Sequence, residues 1–126
     1  MDIAERRVAD VVVVAPAGAI DFPNAQALEG ALAPHLAPTT RDIAALVLDF
    51  GRVGYVSSMG LRVLMVAARA LRPRHARIAV SSLQPVVAEI FDIARFNHVV
   101  EIFPTVREAL AALSPSALAA WDGTAR

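Results

Sequence analysis

Two adjacent serines, Ser57 and Ser58, are the side chains of this sequence that are best placed to do chemistry. They stand between an apolar run at 44–50, which predicts a buried strand, and a run at 61–71 whose spacing predicts an amphipathic helix. A helix N-terminus offers unpaired backbone N–H groups and the positive end of the helix dipole. A hydroxyl at this position can therefore cap the helix, contact an anion or carry a phosphate.

From the position of the two serines alone, helix capping and phosphorylation are about equally expected. Serine is favoured at the N-cap, where its replacement by alanine costs about 1 kcal/mol. One cap requires only one serine, however, and if Ser57 is the cap then Ser58 lies in the first turn with its hydroxyl toward solvent. A phosphate on Ser58 would add about −1.5 to −2 charges at the positive end of a helix. The helix tolerates such a group, so modification would change the surface rather than unfold the domain.

Asp21 is the second polar side chain of interest, and it follows the second predicted strand. It can be a loop residue or helix cap, or a carboxylate beside a modifiable hydroxyl. Because functional loops of a parallel sheet gather beyond the carboxyl ends of its strands, we expect the Asp21 loop and the serine loop to be neighbours. Met59 is expected to be partly exposed beside them, as an adaptable contact.

The rest of the chain predicts an α/β fold in the order β-β-α-β-α-β-α-β-α, with a mostly parallel sheet of four to five strands and βα crossover helices. A turn at Ala9 and Asp10 divides the first two strands. Pro34 and the connector at 38–40 are expected to end the first helix. Residues 114–126 read as a loosely packed tail or a short extra helix. The predicted elements after the first hairpin span residues 25–36, 43–50, 61–71, 77–81, 84–93, 99–103 and 104–113.

The composition favours a protein partner. The chain has 126 residues, of which 56% are hydrophobic and 19% charged, which indicates one folded domain. Its twelve basic and twelve acidic residues cancel, so no footprint for nucleic acid or an anionic membrane is present. No apolar run suits a membrane span or a secretory signal, and we expect a cytoplasmic protein without membrane insertion.

Enzymatic chemistry finds little support in the motifs. There are no cysteines, and the glycines at 51 and 54 fit neither a P-loop nor a dinucleotide fingerprint. No G-x-S-x-G motif is present, and His35, His75 and His98 have no spacing that indicates a triad or a metal site. We therefore expect no enzyme activity, no catalytic residues, no metal and no cofactor.

The serine stretch, V-S-S-M-G-L-R-V-L at 56–64, follows the strand L-V-L-D-F at 46–50. With G-A-I-D at 18–21 and Q-P-V-V leading to Phe91, it resembles the STAS domain of bacterial anti-sigma factor antagonists. The resemblance covers about residues 5–113, and it implies a STAS domain at 1–113 with a C-terminal tail at 114–126. Aligning the motif without gaps puts the family's phosphoacceptor on Ser58 and its loop aspartate on Asp21. The acidic residue that frequently precedes the acceptor in the family is Ser57 here.

The resemblance implies a signalling function. In the family, an unmodified antagonist binds an anti-sigma factor that is also a serine kinase, and so frees a sigma factor. The kinase phosphorylates the acceptor serine, and a serine phosphatase reverses the reaction. The implied partner surface here consists of Asp21, Ser57, Ser58, Met59 and Arg62, and homodimerisation is left open. The alternative is a STAS subunit of a transporter or signalling scaffold that is not phosphorylated.

Overall fold

Five strands form one sheet in which the order in space follows the order in the chain. The structure, a computed structural model, describes residues 1–37 and 42–124. β1 pairs with β2 antiparallel, and the other neighbours pair in parallel, which confirms the predicted mostly parallel α/β sheet. The strands are β1 (Asp2–Val8), β2 (Val11–Ala17), β3 (Ala45–Asp49), β4 (Arg77–Ser81) and β5 (Glu101–Phe103).

Helices cover both faces of this sheet. Parallel neighbours that follow one another in the chain require right-handed crossovers, and these put the three connecting helices on the same face. The last two helices pack on the opposite face. The helices are α1 (Phe22–Leu36), α2 (Ser58–Leu71), α3 (Pro85–Ile93), α4 (Val106–Leu113) and α5 (Pro115–Thr124). Within the described ranges, no helix is long and apolar enough to cross a membrane.

The central strands are apolar throughout because both of their faces are buried. Alternate residues point to opposite sides: Val12 and Leu46 face α1 to α3, whereas Val13 and Val47 face α4 and α5. Phe91 of α3 is buried in the first of these two cores. The two-sided core explains why the strand at β3 shows a continuous apolar run rather than an alternating pattern.

Of the two alternatives for the end of the chain, a short extra helix is formed by Pro115–Thr124. The side chain of Ala117 is fully buried, and the Trp121 ring lies 4.8 Å from the guanidinium carbon of Arg6 on β1. At the start of α5, the Ser114 hydroxyl donates to the carboxylate of Asp10 in the predicted hairpin turn. The turn that joins β1 to β2 therefore also anchors the last helix of the chain.

The predicted end of α1 at Leu36 is confirmed, but Pro34 lies inside the helix rather than ending it. The helix continues through this proline and ends at Leu36. A proline removes the hydrogen bond to the residue four positions earlier, here Gly30. Because Gly30 is exposed, water can solvate its carbonyl, and only two further helical residues depend on the geometry at Pro34. The connector that the sequence predicts at 38–40 lies outside the described residues.

Candidate functional site

Backbone hydrogen bonds hold the Asp21 loop against the serine loop. The Ile20 N–H donates to the Tyr55 carbonyl at 2.8 Å, and the Ser57 N–H donates to the Ile20 carbonyl at 2.9 Å. Ile20 and Val56 form an isolated parallel bridge, and both side chains are buried. The two loops thus extend the parallel pairing of β2 and β3 beyond the ends of the strands. The predicted proximity of these loops is confirmed.

The two serines have different environments. Ser57 is the N-cap of α2: its hydroxyl oxygen accepts a hydrogen bond from the Gly60 N–H at 3.2 Å, and its side chain is half-buried. Ser58 is the first residue of the helix and is exposed. In the part of the chain that the structure describes, its hydroxyl has no hydrogen-bond partner. Capping is therefore performed by Ser57, and the Ser58 hydroxyl is left accessible.

Gly60 allows the first turn of α2 to lie directly on the two loops. A Cβ atom at this position would come within 2.8 Å of both Ile20 Cγ2 and Val56 Cγ1. Both neighbours are β-branched side chains of the core, which have few alternative rotamers. The glycine of the S-S-M-G motif is thus a steric requirement, because it sets how closely Ser57 and Ser58 approach the Asp21 loop.

Asp21 caps the neighbouring helix. One carboxylate oxygen accepts from the Asn24 N–H at 3.1 Å, and the Asn24 amide in turn donates to the Ala19 carbonyl. The side chain is exposed, so the carboxylate also faces solvent next to the start of α2. The two residues Asp21 and Ser58 therefore stand at the beginnings of two helices that pack against each other. Capping and a partner contact are compatible for this carboxylate.

Met59 and Arg62 extend the site along α2. Met59 is half-buried and lines a small groove of about 100 Å³ between α1 and α2, together with Glu29. Arg62 is exposed and lies four residues after Ser58, which places both on the same side of the helix. A guanidinium at this spacing can pair with a negative charge introduced at the first turn. Both residues predicted to contact a partner are thus accessible.

Two exposed aromatic residues were missed by the sequence reasoning. Phe22 is 57% exposed at the first position of α1, and Tyr55 is 46% exposed in the serine loop. Exposed aromatic side chains at the same edge as accessible polar groups are typical of protein interfaces. The position of Tyr55 inside the serine stretch was the only available signal. We call the surface formed by the accessible residues at this edge the Ser58 surface; it consists of Asp21, Phe22, Tyr55, Ser58, Met59 and Arg62.

The chemistry open to the Ser58 hydroxyl depends on the groups within its reach. Nucleophilic serines are activated by a base within hydrogen-bond reach, and the described residues provide no such contact to Ser58. Nor do three histidine or carboxylate side chains converge in these ranges to form a metal site. What the site offers is an accessible hydroxyl at a helix N-terminus, surrounded by exposed apolar and charged side chains.

The family follows from a comparison with known sequences. The model of the STAS domain matches residues 2–109, which is most of the chain. The chain belongs to the STAS domain family. A relative of this STAS protein is the "Putative anti-sigma factor antagonist BtrV" of Bordetella bronchiseptica, which is 34% identical over 120 residues. That alignment covers 94% of this chain and 98% of BtrV.

Solved structures share the fold of this STAS domain. An anti-sigma factor antagonist from Mycobacterium paratuberculosis superimposes with a TM-score of 0.79 at 26% identity, over 89% of this chain and 92% of that one. The Bacillus protein SpoIIAA in its phosphorylated form has a TM-score of 0.68 at 15% identity, over 88% of this chain and 98% of its own. The unphosphorylated form of SpoIIAA gives the same TM-score. At this low identity, SpoIIAA supports the fold alone.

Proposed function

We propose that this STAS protein is an anti-sigma factor antagonist that binds an anti-sigma factor serine kinase through the Ser58 surface. Phosphorylation of Ser58 switches this binding off, and a serine phosphatase restores it. The protein acts by binding rather than by catalysis. The proposal rests on the different environments of the two serines. Ser57 caps the helix, whereas the Ser58 hydroxyl is exposed and has no hydrogen-bond partner among the described residues.

The relationship to BtrV supports a regulatory role as an anti-sigma factor antagonist. BtrV is 34% identical to this chain over nearly the full length of both. The similar structure from Mycobacterium paratuberculosis is also that of an anti-sigma factor antagonist. SpoIIAA, which has the same fold, is known in unphosphorylated and phosphorylated forms, and the proposal extends this kind of modification to Ser58 of the present chain.

Electrostatics give the switch its direction. A phosphate on Ser58 brings about −1.5 to −2 charges to the centre of the Ser58 surface. Facing a carboxylate of a partner about 5 Å away, one unit of that charge costs roughly 3 kcal/mol at an effective dielectric near 20. Since about 1.4 kcal/mol is tenfold in affinity, the partner is bound roughly a hundredfold more weakly before screening by salt.

The experiment uses the full chain and the anti-sigma factor kinase from the same genome. Incubation with kinase and ATP is expected to add one phosphate, measured by intact mass, and Ser58→Ala is expected to abolish it. The matched control is Ser57→Ala, which is expected to keep the phosphate because it retains the acceptor. A phosphate that persists in Ser58→Ala, or no phosphate at all in the wild type, would contradict the assignment.

Binding provides a second readout. Ser58→Asp is expected to weaken the complex with the kinase at least about tenfold, with an unchanged circular dichroism spectrum. Ala112→Asp introduces the same charge at an exposed position of α4, on the opposite face of the sheet, and is expected to leave the affinity unchanged. Equal affinities of the Ser58→Asp protein and the wild type would show that the Ser58 surface is not the docking site.

A further inference from the structure

A second concave site lies at the opposite edge of the sheet from Ser58. It is a cavity of about 340 Å³ at the amino-terminal ends of β4 and β5, next to the last turn of α2. Single 3₁₀ turns at Arg72–Arg74 and Phe96–His98 contribute to its rim. Its volume lies within the range of about 300–1,000 Å³ that is usual for small-molecule sites. The function proposed above makes no use of this cavity.

The rim carries hydrogen-bond donors and positive charge. Arg72, His75, Asn97 and His98 line the cavity, and all four side chains are exposed. Within the described residues, none of the four side chains has a hydrogen-bond or ion-pair partner. A guanidinium that is not engaged by a carboxylate is available for a ligand, and its planar donors match a carboxylate or a phosphate.

The carboxylate at the cavity is already neutralised. Glu101 forms a bidentate ion pair with Arg77, whose Nε donates to Glu101 Oε2 at 2.7 Å. This pairing raises the pKa of Arg77 above its usual value. The carbonyl end of α2 also lies here, and it favours the positive charge of Arg72 rather than an anion. The electrostatic attraction for an anionic ligand must therefore come from side chains, chiefly from Arg72.

The floor of the cavity is apolar. Ala68, Ile78 and Val100 line it, and each is less than a tenth exposed. An inorganic ion would leave this apolar surface in contact with water, whereas an organic ligand would cover it. Because the removal of apolar area from water is favourable, the floor favours a ligand that has a hydrocarbon or aromatic portion.

We propose that this cavity, which we call the Arg72 cavity, binds a small organic anion. Its carboxylate or phosphate group contacts Arg72 and the other donors of the rim, and its apolar portion covers the floor. Ser58 is the first residue of α2 and Arg72 follows its last, so these two residues are about 20 Å apart along the helix at 1.5 Å per residue. A ligand here therefore leaves the Ser58 surface uncovered.

The test is a titration of the ¹⁵N-labelled full chain followed by two-dimensional NMR at constant ionic strength. The probes are phenyl phosphate, phenylacetate, benzyl alcohol as the neutral counterpart, and inorganic phosphate. Saturable shifts of the backbone amides of Arg72, His75 and His98 are expected with one or both aromatic anions. The two anions distinguish a phosphate ligand from a carboxylate ligand. Inorganic phosphate and benzyl alcohol are expected to bind at least about tenfold more weakly.

Three variants sharpen the test. Arg72→Gln is expected to weaken the better probe at least about tenfold, or about 1.4 kcal/mol, and Asn97→Trp is expected to block the mouth from an exposed position. Arg69→Gln removes an exposed arginine of α2 that does not line the cavity, and is expected to have no effect. Any one of four results would overturn the proposal. These are the absence of saturable shifts, equal binding of benzyl alcohol and the aromatic anions, shifts confined to the Ser58 end of the domain, and an Arg72→Gln protein that binds the probe like the Arg69→Gln protein.

Discussion

The Ser57 N–H donates a hydrogen bond of 2.9 Å to the carbonyl of Ile20, so the cap of one helix is attached to the loop that starts another. The same loop is attached a second time, because the Ile20 N–H donates to Tyr55. These two bonds fix the relative positions of Asp21 and Ser58. The Ser58 surface is therefore assembled by backbone contacts, and its side chains remain accessible to a partner.

Gly60→Ala is expected to destabilise the fold by about 1–3 kcal/mol, because the new methyl group overlaps the side chains of Ile20 and Val56. Urea denaturation measures this change. Gly30→Ala is the matched control: this helical glycine has open space around its missing Cβ, and alanine there is expected to stabilise the protein by roughly 0.5–1 kcal/mol. A Gly60→Ala protein as stable as the wild type would show that the helix start can move away from the loops.

Ser57→Ala is expected to lower the free energy of unfolding by about 1 kcal/mol, because the Gly60 N–H loses its cap. Ser58→Ala removes an exposed hydroxyl and is expected to change it by less than about 0.5 kcal/mol. Chemical denaturation of the two single variants separates these roles. The reverse order of the two effects would assign the cap to Ser58 and remove the structural argument for its modification.

Phe22→Ala and Tyr55→Ala are each expected to weaken the complex with the anti-sigma factor kinase by at least about tenfold, since exposed aromatic residues are frequent anchors of interfaces. Isothermal titration measures the affinity. Ile93→Ala removes another apolar side chain, 76% exposed at the end of α3, and is expected to leave the affinity unchanged. Equal losses in all three variants would indicate a general effect of surface hydrophobicity rather than a defined docking surface.

Ser114→Ala is expected to destabilise the protein by about 1–2 kcal/mol, because it removes both the bond to Asp10 and the cap of the Ala117 N–H. Ser116→Ala serves as the control, since this exposed hydroxyl makes only longer contacts within the same cluster. The fluorescence of Trp121, the single tryptophan, reports the docking of α5 during the denaturation. Similar stabilities of the two variants would mean that α5 is held by its apolar contacts alone.

Much of the fold and part of the site could be predicted from the sequence. The apolar run of β3 indicated a strand buried on both faces, and the rule for parallel sheets placed the Asp21 loop beside Ser57. These predictions succeeded because they depend on short-range patterns and on a general rule of topology. The requirement for Gly60 could not be derived in this way, because it arises from contacts with Ile20, forty residues earlier in the chain.

The exposure of Phe22 and Tyr55 could not be predicted from the sequence either. Aromatic residues are more often buried than exposed, so composition alone assigns such side chains to the core. Their exposure depends on how the loops are oriented at the edge of the sheet. The end of α1 at Leu36 was predicted correctly, but Pro34 does not itself end the helix. Near the last turn, this proline removes only a hydrogen bond to the exposed Gly30.

The unpermuted strand order of the sheet has a consequence for synthesis of the protein. Because each strand lies beside the one that precedes it in the chain, every strand that leaves the ribosome finds its neighbour already emerged. We expect the hairpin of β1 and β2, which is joined by the turn at Ala9 and Asp10, to close first. In a permuted sheet, an early strand would wait for its partner with an unpaired edge open to other chains. The strand order of this sheet is compatible with growth by one strand at a time, and its final edge is the three-residue β5.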